Sequence, residues 1–370
     1  MTTAIVSGVL AGKPGNGGNA WARMSVAVGL RRLGFQVFFV EQIERAGREN
    51  LAYFDAVMGQ FGLAGSAALV AGGTSYGIPK QELDDIAAEA SLLVNFGGHL
   101  TVPELKRPAG CKIYLDDDPG FTQLWEAAGV GGARLEGHDL YFTFGENIGR
   151  PGCSIPTGGI EWHATHPAVV LDDWPVTRTG DRGAFTTVAT WRGPYGPVSW
   201  NGTTFGLKLH EFRRFIKLPV LTGNRFELAL DIHPDETPDL ALLRDHRWCL
   251  ADPRLVACDP GAFRCYVQGS AAEFSAAQGI YVETQCGWFS DRTVRYLASG
   301  KPALVQDTGF SRNLVTGEGL IAFRTLDEAV AGVRSIVSDY ERHSLAARAI
   351  AEEYFDSDKV LGRMLEKVGA

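Results

Sequence analysis

Glu283-Thr284-Gln285-Cys286-Gly287-Trp288-Phe289-Ser290-Asp291-Arg292-Thr293, continuing through Arg295-Tyr296-Leu297-Ala298-Ser299-Gly300-Lys301-Pro302-Ala303-Leu304-Val305, decides the architecture. Ile280–Thr284 is apolar and rich in β-formers, which predicts a strand. A helix follows: Ser290 suits its N-cap and Asp291 its first turn. Gly300 stops the helix, Pro302 prevents its continuation, and Ala303–Gln306 predicts a short buried strand. Strand, loop, helix and strand in this order form one unit of a parallel α/β sheet. The free N–H groups at such a helix start favour an anion, and Arg292 is placed to assist them. Arg295, three positions on, is expected on the same helix face.

The rhythm extends in both directions. In the second half, Phe185–Thr190, Glu227–Asp231 and Leu255–Ala257 predict strands. Thr204–Phe215, Leu240–Asp245, Pro260–Ser270, Asp291–Ala298, Asp327–Asp339 and Ser344–Val368 predict helices. In the first half, Ala4–Leu10 predicts a strand, Gly12–Gly18 a Gly-rich loop and Asn19–Leu33 a helix stopped by Gly34. Gln36–Glu41, Leu92–Phe96, Lys112–Leu115 and Leu140–Phe144 are short runs apolar on both faces, as in a covered parallel sheet. The pattern lapses between His163 and Gly183, where Pro167, Asp172, Asp173, Pro175, Gly180 and Asp181 mark a linker. The expected division is a first domain at 1–170, a linker at 171–183, a second domain at 184–340, and a closing helical segment at 341–370. Ligands of open parallel sheets bind beyond the carboxyl ends of the strands, so two such domains facing each other make a cleft.

Composition narrows the function. The 370 residues are 45% apolar and 21% charged, which fits a folded chain. Lys and Arg number 35 against 43 Asp and Glu, a net charge of -8, which argues against a nucleic-acid partner. The start lacks a basic segment before its apolar run, so no signal peptide is expected. The longest uncharged run, Ala56–Pro79, is interrupted by Gly59, Gly62, Gly65, Gly72, Gly73 and Gly77, so no transmembrane segment is expected. The six cysteines contain no C-x-x-C pair, which points to reduced thiols and a cytoplasmic location, without a zinc site.

Gly15-Asn16-Gly17-Gly18-Asn19-Ala20 satisfies the G-x-G-x-x-A spacing of a dinucleotide fingerprint, and Glu41 ends the second strand 21 positions after Ala20. Residues 11–14 lengthen the loop beyond the usual tight turn. Three readings stay open: a nicotinamide or flavin site using Gly15, Gly17, Ala20 and Glu41; a cleft wall for a phosphate or sugar ligand; and a structural turn.

Ala298-Ser299-Gly300-Lys301-Pro302-Ala303-Leu304-Val305-Gln306-Asp307-Thr308-Gly309 resembles the C-terminal half of GT-B glycosyltransferases, whose pattern there is A-x-G-x-P-V-(apolar)-x-(polar)-x-x-G. Gly15–Leu33 is similar to the first β–α unit of the same superfamily. The resemblance implies an α/β fold of two facing Rossmann-like domains with an interdomain cleft, and a last helix that returns to the first domain. It also implies a nucleotide-sugar donor held mainly by the second domain, with no cofactor and no metal. One departure stands out. Retaining members carry E-x7-E before this segment, and the matching positions here are Gly287 and Arg295. A cation cannot accept the ribose hydroxyl bonds that a carboxylate accepts. Either the donor is held through phosphate–Arg contacts, or the chain is a divergent or inactive member.

The resemblance therefore implies transfer of a sugar from a nucleotide diphosphate to an acceptor hydroxyl, with retention and inversion both open. Candidate donor contacts are Arg192, Lys208, Ser290, Asp291, Arg292 and Arg295. Gly17, Gly18, Asn19 and Asp116 are the expected acceptor side. Asp116-Asp117-Asp118 at a strand end repel one another, which raises a carboxyl's proton affinity and makes Asp118, with His99 as the alternative, the expected base. A divalent metal at this cluster would need ligands from elsewhere. His163 and His166, at x2 spacing, and His233 are further candidates, and Trp21, Trp125, Trp191 and Trp288 could stack on a base or sugar. Two other functions compete: an NAD(P)- or flavin-dependent oxidoreductase, and a non-catalytic GT-B-like binding protein suggested by the absent acidic pair.

Overall fold

The computed structural model describes residues 2–106, 110–178, 183–193 and 195–369. Gly180 and Asp181 of the expected linker lie outside the described residues.

The first half is built on an eight-stranded sheet of β1 (Thr3–Ser7), β2 (Gln36–Ile43), β3 (Ala67–Ala71), β4 (Thr74–Gly77), β5 (Leu92–Phe96), β6 (Cys111–Asp116), β7 (Leu140–Thr143) and β8 (Trp162–Ala164). Their order is β4-β3-β2-β1-β5-β6-β7-β8, parallel except for the β3–β4 hairpin. Val6 of β1 is level with Phe39 of β2 on one side and Val94 of β5 on the other. All five residues of β5 are buried, since helices cover both faces. Met24, Leu30, Phe54 and Leu361 pack over one face, and Leu83, Ala87, Leu100 and Leu105 over the other.

The second half repeats the plan. A hairpin of β9 (Val198–Trp200) and β10 (Thr203–Phe205) stands apart from the sheet. The sheet itself comprises β11 (Phe185–Thr190), β12 (Phe226–Asp231), β13 (Trp248–Ala251), β14 (Ala272–Ser275), β15 (Ala303–Gln306) and β16 (Leu320–Phe323), in the order β13-β12-β11-β14-β15-β16 and parallel throughout. The chain is thus an α/β protein of two Rossmann-like units.

Two seams join them. At the first, the Gly17–Arg32 helix abuts the second half: the Gly17 N–H donates to the Ala257 carbonyl at 2.8 Å and Trp21 Nε1 to the Pro260 carbonyl at 2.8 Å. A Cβ on Gly17 would lie 2.1 Å from the Asp259 carbonyl oxygen, so glycine is required there for close approach. Gly17→Ala is expected to push the halves apart and lower stability by about 1–3 kcal/mol, read as an earlier thermal transition. At the second seam the Asn147 N–H donates to the Cys286 carbonyl at 2.9 Å, and Asn147 Nδ2 reaches the carbonyls of Gln285 (2.9 Å) and Gly309 (3.1 Å). The Ser357–Val368 helix lies on the Gly17–Arg32 helix, with Leu361 against Gly29 and Arg32 paired to Asp358 at 3.0 Å. Among the described residues no helix is long and apolar enough to cross a membrane.

Several local expectations fail. Gly279–Thr284 is a short helix rather than a strand: Ile280 and Tyr281 are drawn into an apolar cluster with Phe121 of the first half, and Gln285 ends it in the left-handed region at φ +51°. Residues 253–256 are helical, started by Pro253 with Asp252 as its N-cap, and the neighbouring strand is β13. The helix expected over Thr204–Phe215 is confined to Lys208–Arg213, because Asn201 (φ +48°) and Gly202 (φ +78°) turn the β9–β10 hairpin just upstream. The last helical run divides at Asp356, whose side chain caps a new helix.

Candidate functional site

The carboxyl ends of β6, β11, β12 and β13 open onto a cleft of about 930 Å³ between the halves, lined by residues of both. The first half contributes Gly15, Gly18 and Asn19 of the Gly-rich loop, together with Arg23, Asp117 and Asp118. The second contributes Lys208, His233, Trp288, Asp291 and Arg292.

Arg292 is fixed from behind. Its Nε donates to Glu273 Oε1 at 2.7 Å, Nη1 to the Val188 carbonyl at 2.9 Å, and Nη2 to Ser275 Oγ at 2.7 Å. A guanidinium has five N–H groups, so two remain for the cleft. Glu273, its counter-ion, is fully buried. Lys208 also lines the cleft and has no hydrogen-bond or ion-pair partner among the described residues. Loss of water and the positive charge of Arg292 push its ammonium down to about 7, against a smaller opposing pull from Glu273. Two cations side by side, one of them unpaired, form an anion seat. Asp291 opens the Asp291–Ala298 helix beside them and accepts from Arg295 Nη1 at 3.3 Å.

Asp118 faces this seat from the first half. Its Oδ2 accepts from the Tyr195 hydroxyl at 2.8 Å, and its Oδ1 from the Tyr281 hydroxyl at 3.3 Å. Burial, with the neighbouring Asp117 charge second, holds its carboxyl well above the usual carboxylate range. Asp117 itself is paired to Arg23 at 2.8 Å.

Other expected site residues lie elsewhere. Asp116 is fully buried, does not line the cleft, and accepts from Thr122, Gln123 and Thr143 at 2.7 Å each. It braces the turn that carries Asp118. Arg295 is also fully buried: it holds the Asp291 backbone and carboxylate and reaches Ser25 Oγ at 3.3 Å, so it joins two helices rather than facing a donor. Ser290 stands at the N-cap position, but it is buried, makes no side-chain cap and does not line the cleft. Arg192 turns outward and pairs with Glu236 at 2.6 Å. His99 sits outside the cleft lining, its imidazole pushed down to about 4 by burial. Gly17 is committed to the interdomain seam.

Glu41 corrects the dinucleotide reading. Its carboxylate accepts the backbone N–H groups of Leu10 (2.8 Å), Ala11 (2.6 Å) and Gly12 (2.8 Å). The turn at residues 10–12 is closed by this internal carboxylate, and the acid expected to bind a ribose is spent on it.

Among the remaining candidates, His163 packs on Phe142, and His166 meets Glu146 at 3.4 Å. Trp21 and Trp191 are buried, and Trp125 packs edge-on to Tyr195. Trp288 lines the cleft and stacks on Tyr281 at 4.3 Å. No group of three or more His, Cys, Asp or Glu among the described residues could hold a metal ion. Sequence reasoning missed Tyr195, Tyr281 and Glu273. No local pattern marks the tyrosines, whereas a Glu inside the apolar run Ala272–Ser275 is a signal for a buried ion pair.

Two Rossmann-like units facing each other across such a cleft constitute the GT-B fold. Solved structures bear this out along the whole chain. An alpha-glucosyltransferase in complex with UDP-glucose and DNA aligns at TM-score 0.64 and 10% identity over 100% of both chains. HepE of Anabaena in complex with UDP-glucose aligns at 0.61 and 12% identity, again over 100% of both. Sucrose-phosphate synthase of Thermosynechococcus elongatus aligns at 0.56 and 10% identity over 100% of this chain and 99% of that one. No protein-family model and no curated protein matches the sequence.

Proposed function

We propose that the protein is a glycosyltransferase moving a sugar, of hexose type, from a nucleoside-diphosphate donor to an acceptor hydroxyl. The observation that carries this reading is the unpartnered Lys208 ammonium beside Arg292 in the cleft. Among the described residues Lys208 feels only the Glu273 carboxylate, which is already committed to Arg292, and a desolvated cation so placed is costly unless a ligand supplies a further anion. The diphosphate is that ligand, held by Lys208, the two free N–H groups of Arg292 and the start of the Asp291–Ala298 helix. These groups stabilise the charge that develops on the leaving diphosphate, and two fixed cations take the place of a metal. Asp118 on the opposite wall receives the proton of the acceptor hydroxyl, and Gly18 and Asn19 form the adjoining acceptor wall. The six free cysteines suit a reducing, cytoplasmic setting.

A thermal-shift panel of UDP, GDP, ADP, dTDP and NADH on the whole chain tests the proposal. A nucleoside diphosphate at 100 times its dissociation constant is expected to add about 2.7 kcal/mol of stability. Stabilisation by NADH alone, or by none of the panel, would overturn it.

A further inference from the structure

Asp118 belongs to the first half, yet both hydroxyls bonded to its carboxylate belong to the second. Each tyrosine is itself held by rings. Tyr195 packs at 4.8 Å from Phe121 and 4.7 Å from Trp125, both in the first half. Tyr281 stacks on Trp288 at 4.3 Å and meets Phe121 edge-on at 6.0 Å. The two phenols therefore have fixed positions, and one carboxylate receives both. Asp116, its neighbour, is by contrast satisfied entirely from within its own half.

We propose that Tyr195 and Tyr281 are positioning residues that hold and tune the Asp118 carboxylate from across the cleft, so that its orientation and basicity exist only while the halves are apposed. The naming of Asp118 as a base rests on the glycosyl-transfer reading; the tuning does not. A phenol O–H donated to a carboxylate stabilises its ionised form, so removing one donor raises the carboxyl's proton affinity. The other groups acting on Asp118 work in both directions. Burial, Asp117 and Asp116 disfavour its charge, and Arg23 favours it. The buried Tyr114 feels its charge, and Lys208, Asp291 and Arg292 line the same cleft from the second half.

The test is a pH titration of the whole chain by difference infrared spectroscopy, following the protonated-carboxyl band that disappears in Asp118→Asn. Tyr195→Phe keeps the ring packing and is expected to raise the midpoint by about one pH unit. Tyr281→Phe, which loses the longer bond, is expected to raise it less, and the double variant more than either alone, though not by the simple sum, since both donors share one carboxylate. If Tyr195→Phe fails to fold, Tyr281→Phe carries the same test. A midpoint that stays or falls while the melting temperature drops would mean a merely structural role and overturn the proposal. So would the absence of any titrating band sensitive to Asp118→Asn. The titration needs no donor, so failure of nucleoside diphosphates to bind would sink the transfer reading and leave this result standing.

Discussion

Lys208→Met is expected to weaken UDP binding by about 2–3 kcal/mol, roughly 30- to 150-fold, in isothermal titration at pH 7. Met keeps the length and packing of the stem and removes only the charge. The pH dependence follows from the same residue. Free Lys208 is half-protonated near 7, because burial and Arg292 push its ammonium down. A diphosphate beside it favours the protonated form, so binding takes up a proton. Above pH 7 the affinity of the parent protein should therefore fall, by at most about tenfold per pH unit. The phosphate has lost its second proton by then, so the slope belongs to the protein. Lys208→Met should lack that slope. Equal affinity in the two proteins, or a slope shared by both, would remove Lys208 from the proposed donor site.

Arg292 is a poorer probe of the same seat. Its removal strands the Glu273 carboxylate, which is fully buried and bonded to Arg292 at 2.7 Å. Breaking a buried pair from one side destabilises by about 3–5 kcal/mol, so lost binding in Arg292→Ala would be inseparable from damage to the sheet.

The second large effect is structural. Glu41→Ala leaves the N–H groups of Leu10, Ala11 and Gly12 without their acceptor, two of them in fully buried residues. Bonds from N–H to a carboxylate contribute about 1.5–3 kcal/mol each, but burial of Glu41, which raises its carboxyl's proton affinity, offsets part of the total. A loss of about 3–5 kcal/mol is expected, measured by urea unfolding followed with a probe in the first half. Glu41→Gln should recover only part of it, since one of its two terminal atoms is a donor facing donors. A loss under about 1 kcal/mol would mean that the loop holds its shape without the carboxylate. The site was legible in the sequence as a glycine loop followed by an acid. What the spacing could not show is the direction of that acid: it folds back onto its own loop instead of reaching toward a ligand.

The same limit explains the other differences. Apolar runs such as Leu92–Phe96 and Ala303–Gln306 are strands because helices cover both faces, and periodicity reports that directly. Ile280–Thr284 has the same composition but owes its burial to the opposite half, which no local pattern encodes. Lys208, Asp118 and Arg292 follow or approach strand ends, so the rule for open parallel sheets brings them to the cleft. Three helix positions amount to about 300° of rotation, leaving Arg292 and Arg295 about 60° apart. That is enough to send one to Glu273 on the sheet and the other to Ser25 on a neighbouring helix. The hairpin turns at Gly72-Gly73 and Asn201-Gly202 had a readable two-residue signal that strand periodicity alone overlooks.

Each seam beside the cleft contains a main-chain bond, Gly17 to Ala257 on one side and Asn147 to Cys286 on the other, alongside the side-chain donors Trp21 and Asn147. Every residue type except proline supplies those atoms. Those two main-chain bonds are therefore insulated from the identity of the side chains that line the walls. Wall residues outside the seams and outside the Asp118–Tyr195–Tyr281 bridge can be exchanged without disturbing that frame, so long as Gly17 stays bare and Trp21 and Asn147 are kept.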